Sequence, residues 1–284
     1  MIIFIEIKTY FMKFLKNAFQ FYIFSNIHVA LAVSCLVKIT LLEHDIHENY
    51  TVLFVFFSTI VAYNLIRFFR FSDLPRWIRT WLKGHQKILY ALTGISSIAV
   101  LFLIFQIRFK ALLWLIPFGV FTIFYGLPLP FKNSPLRKVP GVKIFLIAIS
   151  FAGISVLFPI LQNDIIINSH VWITFFQRFF FVILITIPFD IRDLHNDLES
   201  LKTIPQTFGI IKAKLIGILF GLLFLFMEFL KSDLESNAMI IALIVSVISL
   251  SFLIGSKEKQ AKYYSSFYVE AIPISWFLIF LIVK

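Results

Sequence analysis

The stretch Ile98-Ala-Val-Leu-Phe-Leu-Ile-Phe105 contains no polar side chain, and Leu219-Phe-Gly-Leu-Leu-Phe-Leu225 is equally apolar. Neither stretch alternates apolar with polar residues, as the strands of a membrane β-barrel do. A helix needs about 20 apolar residues to cross the hydrocarbon core of a bilayer, and runs of that length recur from residue 21 onward. The sequence therefore predicts an all-α integral membrane protein.

The overall composition supports this prediction. Of the 284 residues, 60% are hydrophobic and 14% are charged, whereas a soluble domain carries roughly a quarter charged residues. The mean hydropathy is +0.93. The net charge of +11 has a topological explanation, because basic residues collect in the cytoplasmic loops of membrane proteins. We therefore expect a lipid bilayer as partner and no nucleic acid.

The chain divides into a short amphipathic start and one membrane domain. Residues 1–20 place apolar side chains on one helical face among three lysines, which predicts an interfacial helix lying on the bilayer. Residues 21–284 predict a single polytopic domain, because no gap between the apolar runs is long enough for a soluble one. About nine spans are expected, at 21–42, 50–69, 88–107, 111–128, 142–161, 170–189, 213–230, 238–255 and 265–283.

The distribution of basic residues predicts the orientation of these spans. With a cytoplasmic N-terminus, 20 of the 26 lysines and arginines fall on the cytoplasmic side, and the C-terminus lies on the opposite side. The positive-inside rule requires this bias. The opposite-side stretches 43–49 and 162–168 carry no lysine or arginine. We take a bacterial inner membrane as the default location, with the working face in the cytoplasm.

One segment differs chemically from the rest: Pro188-Phe-Asp-Ile-Arg-Asp-Leu-His-Asn-Asp-Leu-Glu199, at the cytoplasmic end of the sixth predicted span. Asp190, Asp193 and Asp197 are spaced by three and four residues, so a helix that continues through them stacks three carboxylates on one face. A hard divalent cation would relieve their repulsion, and Mg²⁺ held by one or two carboxylates leaves places for phosphate oxygens. The pattern predicts a metal-bridged diphosphate site. The alternative is a solvated acidic loop, with Arg192 and Lys202 as ion-pair partners.

The same segment, followed by Lys202-Thr-Ile-Pro205 and Phe208-Gly209, resembles the second aspartate-rich motif of the UbiA family of intramembrane prenyltransferases. Tyr125-Gly-Leu-Pro-Leu-Pro-Phe-Lys132 is similar to a segment of that family between helices four and five. The family has nine transmembrane helices, a cytoplasmic N-terminus and aspartate-rich motifs after helices two and six. The resemblance in topology therefore extends over the whole chain.

This resemblance implies a magnesium-dependent enzyme acting inside the membrane. A polyprenyl group would pass from its diphosphate to an aromatic or other hydrophobic lipid acceptor, as in quinone or isoprenoid lipid biosynthesis. Metal and basic residues would stabilise the departing diphosphate, and an apolar cavity would shelter the allylic cation. The catalytic and metal-binding residues implied are Asp190, Asp193 and Asp197.

The family's first motif follows helix two and has an asparagine with aspartates four and eight residues later. Asn64 keeps the asparagine, which the resemblance implies as a metal and diphosphate ligand, but Phe68 and Ser72 stand at the two aspartate positions. Asp73 would lie on the opposite side of a continuing helix, unless Pro75 ends that helix early. The first carboxylate cluster is thus lost.

Basic residues near the two motifs are candidate diphosphate ligands. Arg67 and Arg70 lie in the first motif, where guanidinium groups would bind phosphate directly and partly replace the metal. Both are equally explained as cytoplasmic loop charges. The other candidates, with the same two explanations, are Lys132, Arg137, Lys138, Arg192 and Lys202. Glu270 lies within the ninth span, where an ionisable residue usually faces the bundle interior or water.

Two other functions remain open. A non-catalytic relative would keep the fold and bind a prenyl lipid or assist a partner enzyme. A transporter would place polar residues in mid-span, at broken helices. Here the polar residues gather at the cytoplasmic ends of the spans, which disfavours the transporter.

Overall fold

The computed structural model describes residues 2–69, 71, 74, 76–126, 128–129, 132–135, 139–195, 197–231 and 236–284. A short antiparallel hairpin, β1 (Pro128–Leu129) and β2 (Lys132–Pro135), accompanies an otherwise helical chain. The helices are α1 (Ile2–Phe24), α2 (Ile27–Glu43), α3 (Tyr50–Phe69), α4 (Arg76–Leu103), α5 (Phe109–Gly126), α6 (Lys143–Ala152), α7 (Phe158–Gln162), α8 (Ser169–Arg192), α9 (Ile204–Phe229), α10 (Ser236–Gly255) and α11 (Ile272–Val283).

Within the described residues, seven helical segments are long and apolar enough to cross a membrane, and α1 with α2, which meet at 57°, would form an eighth. The described apolar part of α5, Phe109–Phe121, is shorter. Each predicted span coincides with a helical segment, with α2 as the first and α5 as the fourth. The all-α membrane fold is confirmed, whereas the count of nine and the orientation stay predictions. The amphipathic helix expected over residues 1–20 runs on to Phe24.

Helix α4 differs most from its predicted span, which begins at residue 88. The helix begins at Arg76 and has 28 residues, so it is about 42 Å long at 1.5 Å per residue. The hydrocarbon core is only about 30 Å thick, so an upright helix of this length has room for its charged first turns outside the apolar layer. These turns carry Arg79, Lys83 and Lys87, which hydropathy alone assigns to a loop.

Two wide, π-helical turns lie just before prolines. Gly153–Leu157 joins α6 to α7 and precedes Pro159, while Tyr264–Val269 precedes Pro273 at the start of α11. A proline has no N–H to donate to the carbonyl four residues earlier, so the backbone widens where that bond is missing. Nevertheless, α6 and α7 together form one candidate span, Lys143–Gln162, and the second wide turn forms another with α11, Tyr264–Val283.

The interior consists of two apolar clusters that meet along α8. One joins α8 to α9, α10 and α11 around Phe181, Phe224 and Trp276. The other joins α2, α3, α5 and α7 around Phe54 and Phe158. We call the end of the bundle that carries Asp190 the motif face, and the end where Arg108 contacts Gln162 and Lys284 contacts Leu42 the far face.

Close packing of α9 depends on its glycines. A Cβ atom on Gly217 would lie 2.6 Å from Cδ2 of Leu253 on α10 and 3.1 Å from Cδ1 of Ile187 on α8. We expect Gly217→Leu to lower the free energy of unfolding by about 1–3 kcal/mol, because overpacking forces neighbouring helices apart. Unfolding of the purified protein in detergent measures the change. Gly94→Leu is the control, since a Cβ there meets nothing within 4 Å, and an equal loss in both variants would contradict the prediction.

Candidate active site

Asp190 and Asp197 converge on one cation at the motif face. The Lys143 Nζ atom lies 2.7 Å from Oδ1 of Asp190 and 2.7 Å from Oδ2 of Asp197. Asp190 is 1% exposed, and Lys143 and Asp197 are also largely buried. Charge-assisted bonds of this kind are among the strongest that side chains form. Three charged groups therefore share one small, dry site.

The third aspartate points elsewhere, so the three carboxylates do not stack on one helical face as the spacing predicts. Helix α8 ends at Arg192, and Asp193 is its C-cap. The Arg192 guanidinium donates to both carboxylate oxygens of Asp193, at 2.8 Å each. The segment after Asp193 is rich in Asp, Asn and His, whose side chains compete with the helix for backbone hydrogen bonds. Asp197 consequently belongs to a loop.

This loop is held in place by its neighbours. The Leu201 carbonyl accepts a bond from the Gly141 N–H, two residues before Lys143. Gln206 takes part in the capping box that starts α9 and donates to the Asp197 carbonyl at 3.2 Å. The loop therefore fixes Asp197 against α6, which brings it to Lys143 although the two lie far apart in sequence.

The chemistry of the pair Asp190 and Asp197 fits a divalent cation. Two carboxylate oxygens point at one position, and the Lys143 ammonium already occupies it as a positive charge. Two carboxylates with substrate phosphates are a usual ligand set for Mg²⁺. Among the described residues, no group of three or more His, Cys, Asp or Glu side chains is placed to hold a metal. Asp193, paired with Arg192, and Asn64 do not join the pair.

Asn64 and Arg67 form a separate polar network where α1, α2, α3 and α4 meet. The Asn64 amide oxygen accepts from Asn26 Nδ2 at 2.7 Å, and its nitrogen donates to Thr93 at 3.1 Å. The Arg67 guanidinium donates to the Phe24 carbonyl and to Asn26 Oδ1 at 2.5 Å. The structure thus gives both residues a role in tying α1 to the bundle.

Glu270 lies between the two polar groups. The cations that act on its carboxylate are Arg192, beside the aspartates, and Arg67, in the asparagine network. In the same region, the His28 ring forms two hydrogen bonds, from Nδ1 to the Tyr22 hydroxyl at 2.8 Å and from Nε2 to the Phe267 carbonyl at 3.0 Å. Glu270 is therefore an acidic residue that is electrostatically coupled to both groups.

The other sequence candidates lie apart from these residues or outside the described part. Phe68 packs edge-on against Tyr90, with ring centroids 5.0 Å apart. Lys202 is exposed on the loop that precedes α9 and adopts a left-handed backbone conformation, φ 43°. The side chain of Lys132, and all of Arg70, Ser72, Asp73, Pro75, Arg137 and Lys138, fall outside what the structure describes.

Comparisons with known proteins give one informative result. No protein-family model and no curated protein sequence matches this chain. A solved structure of a UbiA homologue from Archaeoglobus fulgidus, bound to GPP and Mg²⁺, aligns with 93% of this chain and 98% of its own at a TM-score of 0.62. The chain has the UbiA fold. Sequence identity is 10%, so the likeness confirms the resemblance for the fold alone and assigns no residue.

An aromatic cluster packs α1 onto the motif face of this UbiA fold. Its rings are Phe19, Phe24, Trp77, Tyr263 and Phe267, with neighbouring centroids 4.9 to 6.4 Å apart. The Lys262 ammonium lies over three of the rings, at 5.1 Å from Trp77 and 5.4 Å from both Phe24 and Tyr263. Aromatic faces attract cations at such distances, so these rings already stabilise one positive charge.

A polar cavity of about 360 Å³ opens at the far face of the UbiA fold, away from the aspartates. Gln177 lines it and donates to Glu228 at 2.6 Å, and Glu228 also pairs with Lys231 at 2.9 Å. Burial lowers the pKa of His44 at its rim, so this imidazole is neutral at pH 7. The cavity contains none of the candidate site residues.

Lys143 is a site residue of this UbiA fold that no sequence motif indicates. It is one of the 20 basic residues on the predicted cytoplasmic side, and the first residue of a span is an ordinary place for a topological lysine. The sequence feature that could have indicated its position is Gly141, two residues earlier, where the backbone turns with φ 73°. The pairing itself joins residues 47 and 54 positions apart, which no local pattern shows.

Proposed function

We propose that the chain is a UbiA-like prenyltransferase, which moves a polyprenyl group from its diphosphate to an aromatic or lipid acceptor within the membrane. The observation that carries the proposal is the convergence of Asp190 and Asp197 on one cation, in a fold shared with a protein solved bound to GPP and Mg²⁺. The same likeness supports a prenyl diphosphate as substrate and Mg²⁺ as cofactor. Asp190 and Asp197 would hold the metal, which when bound supplies positive charge to the diphosphate oxygens.

The basic residues of the motif face have a defined part in this reaction. The carbon–oxygen bond between the prenyl group and the diphosphate breaks, and its electron pair leaves with the diphosphate. Arg192 is held in a fixed direction by Asp193, so its guanidinium is oriented for a developing negative charge. Lys202, on the exposed loop, would add to this charge stabilisation, as would the sequence candidates Arg70, Lys132, Arg137 and Lys138.

The aromatic cluster supplies the matching environment for the carbocation. The allylic cation left after diphosphate departure needs apolar, electron-rich faces and protection from water. Phe24, Trp77 and Tyr263 already hold the Lys262 ammonium by such contacts. The acceptor's nucleophilic atom then bonds to the prenyl carbon, and its proton passes to the released diphosphate.

The test is a turnover assay with the purified full chain in lipid nanodiscs. Labelled farnesyl or geranylgeranyl diphosphate is supplied with Mg²⁺ and a panel of aromatic and lipid acceptors, and released diphosphate is measured. Release above the rate with empty nanodiscs, and its loss in Asp190→Asn, is the expected result. Asp164→Asn is the matched control, since Asp164 is an exposed acid on the far face. Equal release by the wild type and Asp190→Asn would sink the proposal.

A second function is favoured by one specific observation. Phe68 and Ser72 replace the first pair of aspartates, and each carboxylate of the second motif already has a cation of the chain as partner. Such a site is also compatible with a non-catalytic protein that binds a prenyl lipid. That function predicts no diphosphate release with any acceptor, together with tight prenol binding that Asp193→Ala leaves unchanged.

We also propose that the motif face lies in the cytoplasm of a bacterial cell. Because Cys35 is buried, a Cys35→Ser background allows a single exposed cysteine to be placed on either face. We expect a membrane-impermeant maleimide added to intact cells to label Asp164→Cys at least about tenfold more than Lys202→Cys, since moving a charged reagent through the apolar core of the bilayer costs many kcal/mol. The reverse labelling pattern would contradict this orientation, and lysed cells, where both should react, provide the control.

A further inference from the structure

The Lys143 ammonium stands where a metal ion of the proposed reaction would bind. It is 2.7 Å from an oxygen of each of two carboxylates, and one of them, on Asp190, is 1% exposed. Lys143, Asp190 and Asp197 are therefore not ordinary charges on the protein surface. Buried ion pairs persist only where each partner compensates the other, so the lysine offsets part of the cost of burying both carboxylates at the motif face.

A divalent cation and this ammonium cannot share the pair. Mg²⁺ binds carboxylate oxygens at about 2.0–2.1 Å, so a metal between Asp190 and Asp197 would lie within a few ångströms of Nζ. The repulsion between like charges at such a distance is strong in a dry site. The lysine must therefore leave the carboxylates when a metal enters, and it then needs another anion.

The substrate would supply that anion. A metal ion between Asp190 and Asp197 would add two positive charges where the diphosphate oxygens would bind. Diphosphate oxygens in turn offer the displaced ammonium a new partner, since lysine binds phosphate as a point charge.

We propose that Lys143 and a divalent cation compete for Asp190 and Asp197, so that the metal enters together with a diphosphate, whose oxygens take over the Lys143 ammonium. The competition for the carboxylates stands on the geometry alone. The transfer of the ammonium to the diphosphate rests on the proposed function. Lys143 is thus a positioning residue that keeps the empty site metal-poor and makes metal and substrate bind cooperatively.

The test titrates Mn²⁺ alone into the purified full chain and follows the free ion by electron paramagnetic resonance. The wild type is expected to bind Mn²⁺ weakly, and inorganic diphosphate should tighten this binding at least tenfold, after subtraction of the Mn²⁺ that diphosphate binds in the absence of protein. Lys143→Gln removes the competing charge and should bind Mn²⁺ alone at least tenfold more tightly than the wild type. Lys143→Arg keeps a cation and should stay weak. Lys110→Gln, the same charge change at an exposed far-face position, should have no effect.

Two results would overturn the inference. One is Mn²⁺ binding by the wild type that is already as tight without diphosphate as with it, a result that does not require any variant to fold. The other is an unchanged Mn²⁺ affinity in a folded Lys143→Gln. Failure of the proposed function looks different, because the lysine–metal competition would then persist in the Mn²⁺ titrations while no prenyl diphosphate was turned over.

Discussion

Replacing Asp190 by alanine is expected to cost about 3–5 kcal/mol of unfolding free energy, the range found when one partner of a buried ion pair is removed. The physical reason is the position of Lys143, which would keep Asp197 but lose the more deeply buried of its two carboxylates. The same variant should lose prenyl transfer, because a ligand of the proposed metal site is gone. Denaturant unfolding in detergent and the diphosphate release assay measure the two effects.

Asp193→Ala is the internal control for stability. The side chains of Asp193 and Arg192 are 28% and 35% exposed, and ion pairs open to solvent contribute about 1 kcal/mol or less. A triple variant, Asp190→Ala and Asp197→Asn with Lys143→Met, should recover much of the lost stability without recovering transfer, since it removes all three charges of the buried group. Equal stability losses for Asp190→Ala and Asp193→Ala would show that the buried ion pairs of Lys143 contribute no more to stability than the exposed Arg192–Asp193 pair.

Arg67→Met is the second variant with a large expected effect. We expect a loss of about 2–4 kcal/mol in unfolding free energy, because hydrogen bonds to charged groups contribute about 1.5–3 kcal/mol each. Arg67 bonds the last carbonyl of α1 and the side chain of Asn26, and Asn26 adopts a left-handed backbone conformation, φ 69°, at the turn between α1 and α2. Without the guanidinium, α1 should detach from the motif face.

Limited proteolysis and unfolding together check this prediction. Cleavage should appear at the turn between α1 and α2 in Arg67→Met and be absent from the wild type under the same conditions. Arg108→Met is the matched control, because Arg108 pairs with Asp164 at the far face with both side chains 54% exposed. If the two arginine variants lose the same stability, or if α1 stays protected without Arg67, the network does not hold this helix.

The fold could be predicted because each span has a local signal. Tyr50–Phe69 coincides with its predicted range, since apolar length alone defines a helix in lipid. Helix α4 could not be delimited in the same way. Its first turns carry charges that hydropathy reads as a loop, yet a polar helix end outside the bilayer remains a helix as long as its backbone bonds are kept.

The candidate site could be predicted only in part, because half of it is made by tertiary packing. Asp190 follows from its place at the end of a span beside other acids. Lys143 does not, since its partners lie 47 and 54 residues away. Asp193 was expected on one face with Asp190, but the helix ends at Arg192. Asn64 was expected as a ligand, whereas its amide oxygen accepts a bond from Asn26.

The most direct measurement is a structure of the full chain with Mn²⁺ and a farnesyl thiolodiphosphate analogue, in which anomalous scattering locates the metal. We expect manganese between Asp190 and Asp197, the analogue's phosphates beside it, and the Lys143 ammonium moved from the carboxylates to a phosphate oxygen. An analogue bound elsewhere in the bundle, with Lys143 still bridging the two aspartates, would contradict this expectation.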